Sequence, residues 1–170
     1  MTLSALRKEK DEFFRMDPYS PLTDDQKETF TGLNYFPEDD SLRFKVDVER
    51  FPEEDLLQLQ TNTGEVRTVE RFGRFTFEVN GEPASLTIYS SMGSYFLPFA
   101  DSQAGDETYG AGRYLEPEEQ PDGRFLIDFN LAYNPYCAYN NRWTCPLTPA
   151  ENRLAVPIRA GEKNVHPSSH

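Results

Sequence analysis

Between residues 42 and 48 the apolar side chains Leu42, Phe44, Val46 and Val48 take every second position, with charged residues between them. That is the period of a strand with one buried face, because successive Cβ atoms of a pleated backbone point to opposite sides. Short β-rich runs recur in "DLLQLQTNT", "VRTVERFGRFTFEVNG", "ASLTIYSS", "SYFLPFAD", "RFLIDFNLAY" and "RLAVPI". Turn chemistry separates them: "TNTGE", Asn80-Gly81 in "VNGEP" and Asp122-Gly123 in "EPEEQPDGR". Roughly six to nine short strands so spaced imply a mainly β fold, an antiparallel sandwich or a distorted barrel.

The start of the chain reads differently. Leu3, Leu6, Phe13 and Phe14 recur at helical spacing among charged residues, with Thr2 or Ser4 available as N-cap. Asp17-Pro18 and Ser20-Pro21 end that helix, since a residue before proline is pushed out of the α region. A short helical turn follows from Asp24 to Phe30. With 170 residues the chain has room for one domain of this kind and a real core. Its expected extent is 1–163, with the helix in 1–16, the β body in 42–160 and a tail in 164–170.

The net charge of −12 sets the mean surface field against phosphate backbones and anionic lipid head groups. Nucleic acid and membrane surfaces are therefore not expected partners. No apolar run is long enough to span a bilayer, and "MTLSALRKEKDEFF" lacks the apolar core of a secretory signal, so a cytoplasmic location is expected. The acidic turns "FPEDD" and "FPEED" do not extend into a repeat.

Residues 128–152, "DFNLAYNPYCAYNNRWTCPLTPAEN", concentrate both cysteines, the only tryptophan and a series of asparagines. If the strand ran on, Asp128, Asn130 and Ala132 would share one face, and Phe129, Leu131 and Tyr133 would face the core. Asn134-Pro135 ends regular pairing. Beyond it a compact loop would let Asn134 and Asn140 satisfy buried backbone groups or a ligand. Cys137 and Cys145 admit a disulfide, a zinc site completed by His166 and His170, a nucleophile, or two buried thiols. Reducing conditions favour the thiols.

Residues 95–118 form a second dense stretch, with Asp101, Glu107, Tyr109 and Arg113 spaced by glycines. No phosphate-binding fingerprint or calcium loop is present. Arg113 can grip an anionic ligand bidentately, or Asp101 or Asp128 inside the protein.

The succession "SPL", "F.GLNYFP", "PFAD...G.ETYGAGRYL", "DFNLAYNPYCAYN", "CPLTPAEN" and "AGEK" resembles a prokaryotic family catalogued as domain of unknown function 1684. The resemblance implies a self-contained domain and carries no catalytic residue with it. The functional expectation is thus a small-molecule site, suited to an anion, where the 101–114 loop meets the 128–145 segment. Arg113 would anchor the anion, Asp128, Asn130, Asn134, Tyr139 and Asn140 would offer hydrogen bonds, and Tyr109 and Tyr133 would form walls. Two rivals stand beside it: a hydrolase-like enzyme using Cys137 or the Asp101 and Glu107 carboxylates, and a structural or protein-interaction domain without a ligand. The sequence names no cofactor, assigns no metal ligand and leaves the oligomeric state open.

Overall fold

The computed structural model describes residues 2–165. Helix α1, Leu3–Met16, begins where the Thr2 hydroxyl accepts the Ala5 N–H at 3.1 Å. It ends as Pro18 holds Asp17 extended while the Asp17 N–H closes on the Phe13 carbonyl. Helix α2, Asp24–Thr29, is started by a reciprocal cap: Gln26 N–H donates to the Thr23 hydroxyl at 3.2 Å and Thr23 N–H donates to Gln26 Oε1 at 2.9 Å.

The strands follow in chain order as β1 Arg43–Val46, β2 Glu49–Arg50, β3 Leu56–Gln60, β4 Val66–Val79, β5 Glu82–Ser91, β6 Ser94–Phe99, β7 Arg113–Leu115, β8 Glu118–Glu119 and β9 Phe125–Asp128. All pairings between them are antiparallel. One sheet runs β2-β4-β5-β6-β7, with β3 also on β4, and a smaller sheet runs β1-β9-β8. The long β4 pairs β3 along its first part and β2 beyond a bulge between Arg71 and Gly73. Asn80-Gly81 makes the expected tight turn into β5, both residues having positive φ.

Neither sheet closes into a barrel; the two face each other as a sandwich. Phe75, Phe77, Leu86, Ile88, Leu97 and Phe99 of the large sheet meet Val46, Phe125 and Ile127 of the small one. Phe129 sits at the centre of the aromatic contacts, 5.4 Å from Phe77 and 5.1 Å from Phe99 between ring centroids. The alternation at 42–48 thus delivers its side chains to the core, Leu42 and Val46 fully and Phe44 and Val48 in part.

Two expected strands take another form. After Asp128 the chain turns into a 3-10 helix, Phe129–Leu131, because the Asp128 carboxylate accepts the Asn130 N–H at 3.0 Å and caps the turn. The alternation therefore breaks: Asn130 is buried and Leu131 is 47% exposed, the reverse of the strand expectation. "RLAVPI" is also irregular, although Val156 and Ile158 are buried in the core. Pro157 cannot donate to a ladder, and this limb instead reaches the sandwich edge through Leu154 N–H to Ala100 O at 2.7 Å and Ser102 N–H to Val156 O at 2.9 Å. Among the described residues no helix is long and apolar enough to cross a membrane.

Candidate functional site

The irregular limb at 158–162 has carbonyls without strand partners, and Arg113 supplies them. Its side chain is 1% exposed and donates to Ala160 O at 2.5 Å, Glu162 O at 3.0 Å and Ile158 O at 2.8 Å. Burial lowers its pKa to about 10, against the favourable fields of Asp101 and Glu162, so it stays charged at neutral pH. Gly112 lets the backbone pass there: at φ +103°, a Cβ would stand 2.6 Å from Phe99 O. The expected anion anchor is therefore an internal brace, its donors spent on main chain.

Asp128 and Asn130 are likewise engaged within the fold. Asp128 pairs with Arg43 at 3.0 Å, and Asn130 exchanges hydrogen bonds with the Asp39 backbone at 2.9 and 3.0 Å. Asn140 ties the dense loop to the α2 region by donating to Pro21 O at 2.8 Å and Gln26 Oε1 at 3.1 Å. Asp101 accepts from the Thr108 hydroxyl at 2.6 Å and the Ile158 N–H at 2.7 Å, while Glu107 pairs with Arg159 at 2.9 Å. The two carboxylates are thus committed to separate structural tasks.

Asn134, Tyr139 and Tyr133 do converge, around a residue that the sequence reading passed over. Glu162 is 2% exposed, and its Oε1 accepts the Asn134 N–H at 3.0 Å and the Tyr139 hydroxyl at 3.1 Å. Lys10 Nζ of α1 meets Oε2 at 2.5 Å and lies 4.9 Å from the Tyr133 ring centroid. Burial, then the neighbouring carboxylate, pushes the Tyr139 phenol far above its ordinary pKa, so it serves as a donor. Gly161 makes the placement possible. At φ +79° it crosses the 129–132 turn so closely that a Cβ would stand 2.7 Å from Ala132 O.

Lys10 also borders a cavity of about 430 Å³ between α1 and the 133–146 segment. Its walls are aromatic, with Phe13 and Phe14 of α1 facing Tyr114, Tyr133, Tyr136 and Trp143. Lys10 and Arg67 are the cations on its rim, Arg67 donating to Thr144 O at 3.1 Å. Tyr114 and Tyr133 are fixed by hydroxyl hydrogen bonds, to Pro146 O and, at 2.5 Å, to Glu116 Oε1. A more polar cavity of about 290 Å³ is lined by Asn134, Tyr139 and Glu162, and Asn134 Oδ1 has no partner there. The Lys10–Glu162 pair links the two cavities.

Cys145 lies on the aromatic cavity and Cys137 beside it; both are free thiols. Cys137 N–H donates to Cys145 Sγ at 3.3 Å, and the Tyr109 hydroxyl is 3.9 Å from Cys137 Sγ. Tyr109 is thus a neighbour of the thiols. His166 and His170 fall outside the described residues. Among those that are described, no group of three His, Cys, Asp or Glu side chains is placed to hold a metal ion.

Of the site's chief members, Lys10, Arg67 and Glu162 escaped the sequence reading, and Trp143 stood out only as part of the dense 128–152 stretch. Glu162 stood inside the "AGEK" block, and its glycine was the usable signal: a Gly-acid pair that ends a buried apolar limb places a charge where the backbone is crowded.

These features define a mainly β antiparallel sandwich with an N-terminal helix closing an aromatic cavity over a buried carboxylate. The chain belongs to the family described as Protein of unknown function (DUF1684), which it matches over residues 28–163. It is similar to the solution NMR structure of an uncharacterised protein from Haloarcula marismortui, with 34% sequence identity, a TM-score of 0.70, and coverage of 95% of this chain and 91% of that one. No curated protein matches the chain.

Proposed function

We propose that the domain binds a small anion with an apolar body in the aromatic cavity between α1 and the 133–146 segment. The carrying observation is that Lys10 and Arg67 share the rim of a cavity of about 430 Å³ walled by aromatic rings. A chain of net charge −12 repels anions at long range, so local cations above an apolar wall are the feature that selects one. Lys10 balances Glu162, so Arg67, whose charge also lies near Cys145, is the cation that a carboxylate, sulfonate or phosphate head would meet. Of the residues expected from the sequence to form a site, only Tyr133 lines this cavity; Tyr114 and Cys145 of the same segments and α1 supply other walls.

Trp143 is the only tryptophan and lines the cavity, so its fluorescence reports occupancy. Phenylbutyrate is expected to change its emission saturably, and phenylbutanol, which lacks the charge, to do so more weakly. Arg67→Gln should weaken phenylbutyrate binding about two- to fivefold, the upper part of the range for one exposed charge contact. Equal binding of the acid and the alcohol, or no saturable change with either, refutes the proposal.

A further inference from the structure

The two thiols form a cluster of their own. Cys145 is held at both backbone groups by Asn62, whose Oδ1 accepts the Cys145 N–H at 2.8 Å and whose N–H donates to Cys145 O at 3.2 Å. The residue is 6% exposed, and it lines the aromatic cavity, the side from which a small reagent would approach. The Cys137 N–H donates to the Cys145 sulfur at 3.3 Å, and Arg67 lines the same cavity as Cys145. Cys137 is half-buried in a 3-10 turn, Tyr136–Ala138, and is the more exposed of the two.

We infer that Cys145 and Cys137 are a peroxide-reactive dithiol, with Cys145 as the attacking sulfur and Cys137 as the resolving one, closing to a disulfide beside the aromatic cavity. The contact with Cys137, helped by the Arg67 charge, lowers the Cys145 pKa. The adjacent Cys145 sulfur and burial push Cys137 well up, so it remains a thiol. One thiolate therefore faces one proton donor.

The steps balance as follows. The Cys145 thiolate attacks one oxygen of hydrogen peroxide; an S–O bond forms, the O–O bond breaks, and the departing hydroxide takes the Cys137 proton to give water. The Cys137 thiolate then attacks the Cys145 sulfur; the S–S bond forms, the S–O bond breaks and hydroxide leaves. The two sulfurs lose two electrons together, and the peroxide gains them. The ring closed spans about nine residues, short enough for rapid resolution once Cys137 turns toward its partner. The site stands without any ligand in the cavity.

Intact-mass spectrometry of the full chain treated with a modest excess of hydrogen peroxide tests this. The expected product has lost two hydrogens, no longer reacts with iodoacetamide, and is restored by dithiothreitol. Cys137→Ser should stop at one added oxygen on Cys145, trapped by dimedone, and Cys145→Ser should lose the peroxide reaction. Alkylation of Cys145 should have its midpoint below the ordinary thiol value of about 8.5. An unreactive wild-type chain, oxygen added to both sulfurs without loss of hydrogens, or a Cys145→Ser variant oxidised at the wild-type rate overturns the assignment.

Discussion

Glu162 keeps a carboxylate in a place 2% open to solvent, and three donors converge on it: the Asn134 N–H, the Tyr139 hydroxyl and Lys10 Nζ. Removing a carboxylate from water costs several kcal/mol, which such a set of charge-assisted bonds offsets only when it is complete. Lys10 is 31% exposed and can return to water if its partner is lost, whereas Glu162 cannot. Lys10→Met is therefore expected to destabilise the fold by about 3–5 kcal/mol. Adding Glu162→Leu to Lys10→Met should recover part of that loss, because the second change removes the stranded charge. Urea unfolding at neutral pH of these two variants and of Glu162→Leu alone closes the cycle. Energies that add within about 0.5 kcal/mol would mean that the two residues do not act as a pair.

Helix α1 is the element through which that pair reaches the aromatic cavity. Its only fully buried residue, Phe14, meets Tyr139 edge-on at 5.2 Å and lies 6.0 Å from Phe30 and 6.4 Å from Tyr136. Phe14→Ala should cost about 3–5 kcal/mol in thermal or chemical unfolding and shift Trp143 emission to the red, since Trp143 meets Tyr136 edge-on behind it at 5.2 Å. Full stability with an unchanged spectrum would show that α1 does not close the cavity. The helix itself was legible in the sequence because its signals are local: Thr2 before it, Asp17-Pro18 after it, and aromatic residues on one face. The hairpins were legible for the same reason, Asn80-Gly81 fixing the β4–β5 turn. Residues 129–133 and 153–158 misled because distant or side-chain groups decide their backbone. Asp128 caps the first segment, and the buried Arg113 fork draws in the carbonyls that follow the second. The site was legible only in part for a related reason. Lys10 and Glu162 are 152 residues apart and meet only after the sandwich has formed.

The whole molecule carries twelve uncompensated negative charges at neutral pH, and seven of its seventeen Lys and Arg side chains stand in ion pairs. Lys45–Asp122 at 2.8 Å and Arg159–Glu107 at 2.9 Å are exposed pairs, each worth about 0–1 kcal/mol and weakened by salt. Repulsion among the surplus carboxylates is weakened by the same screening, so the two effects of salt oppose each other. The surplus decides the sign: with 29 acidic against 17 basic residues, repulsive pairs outnumber attractive ones over the surface. Raising sodium chloride from about 0.01 M to about 1 M shortens the screening length from about 30 to about 3 Å and should stabilise the fold. A gain of about 1–2 kcal/mol would raise the melting temperature of a chain this size by roughly 2–8 °C. Salt also strengthens apolar burial, and pH separates the two causes. Near the isoelectric point of about 4.6 the surplus is titrated away, so a rise due to screening disappears there. A rise that persists at that pH belongs to apolar burial, and a fall at neutral pH would mean that the surface pairs, not the surplus charge, govern the electrostatics of the fold.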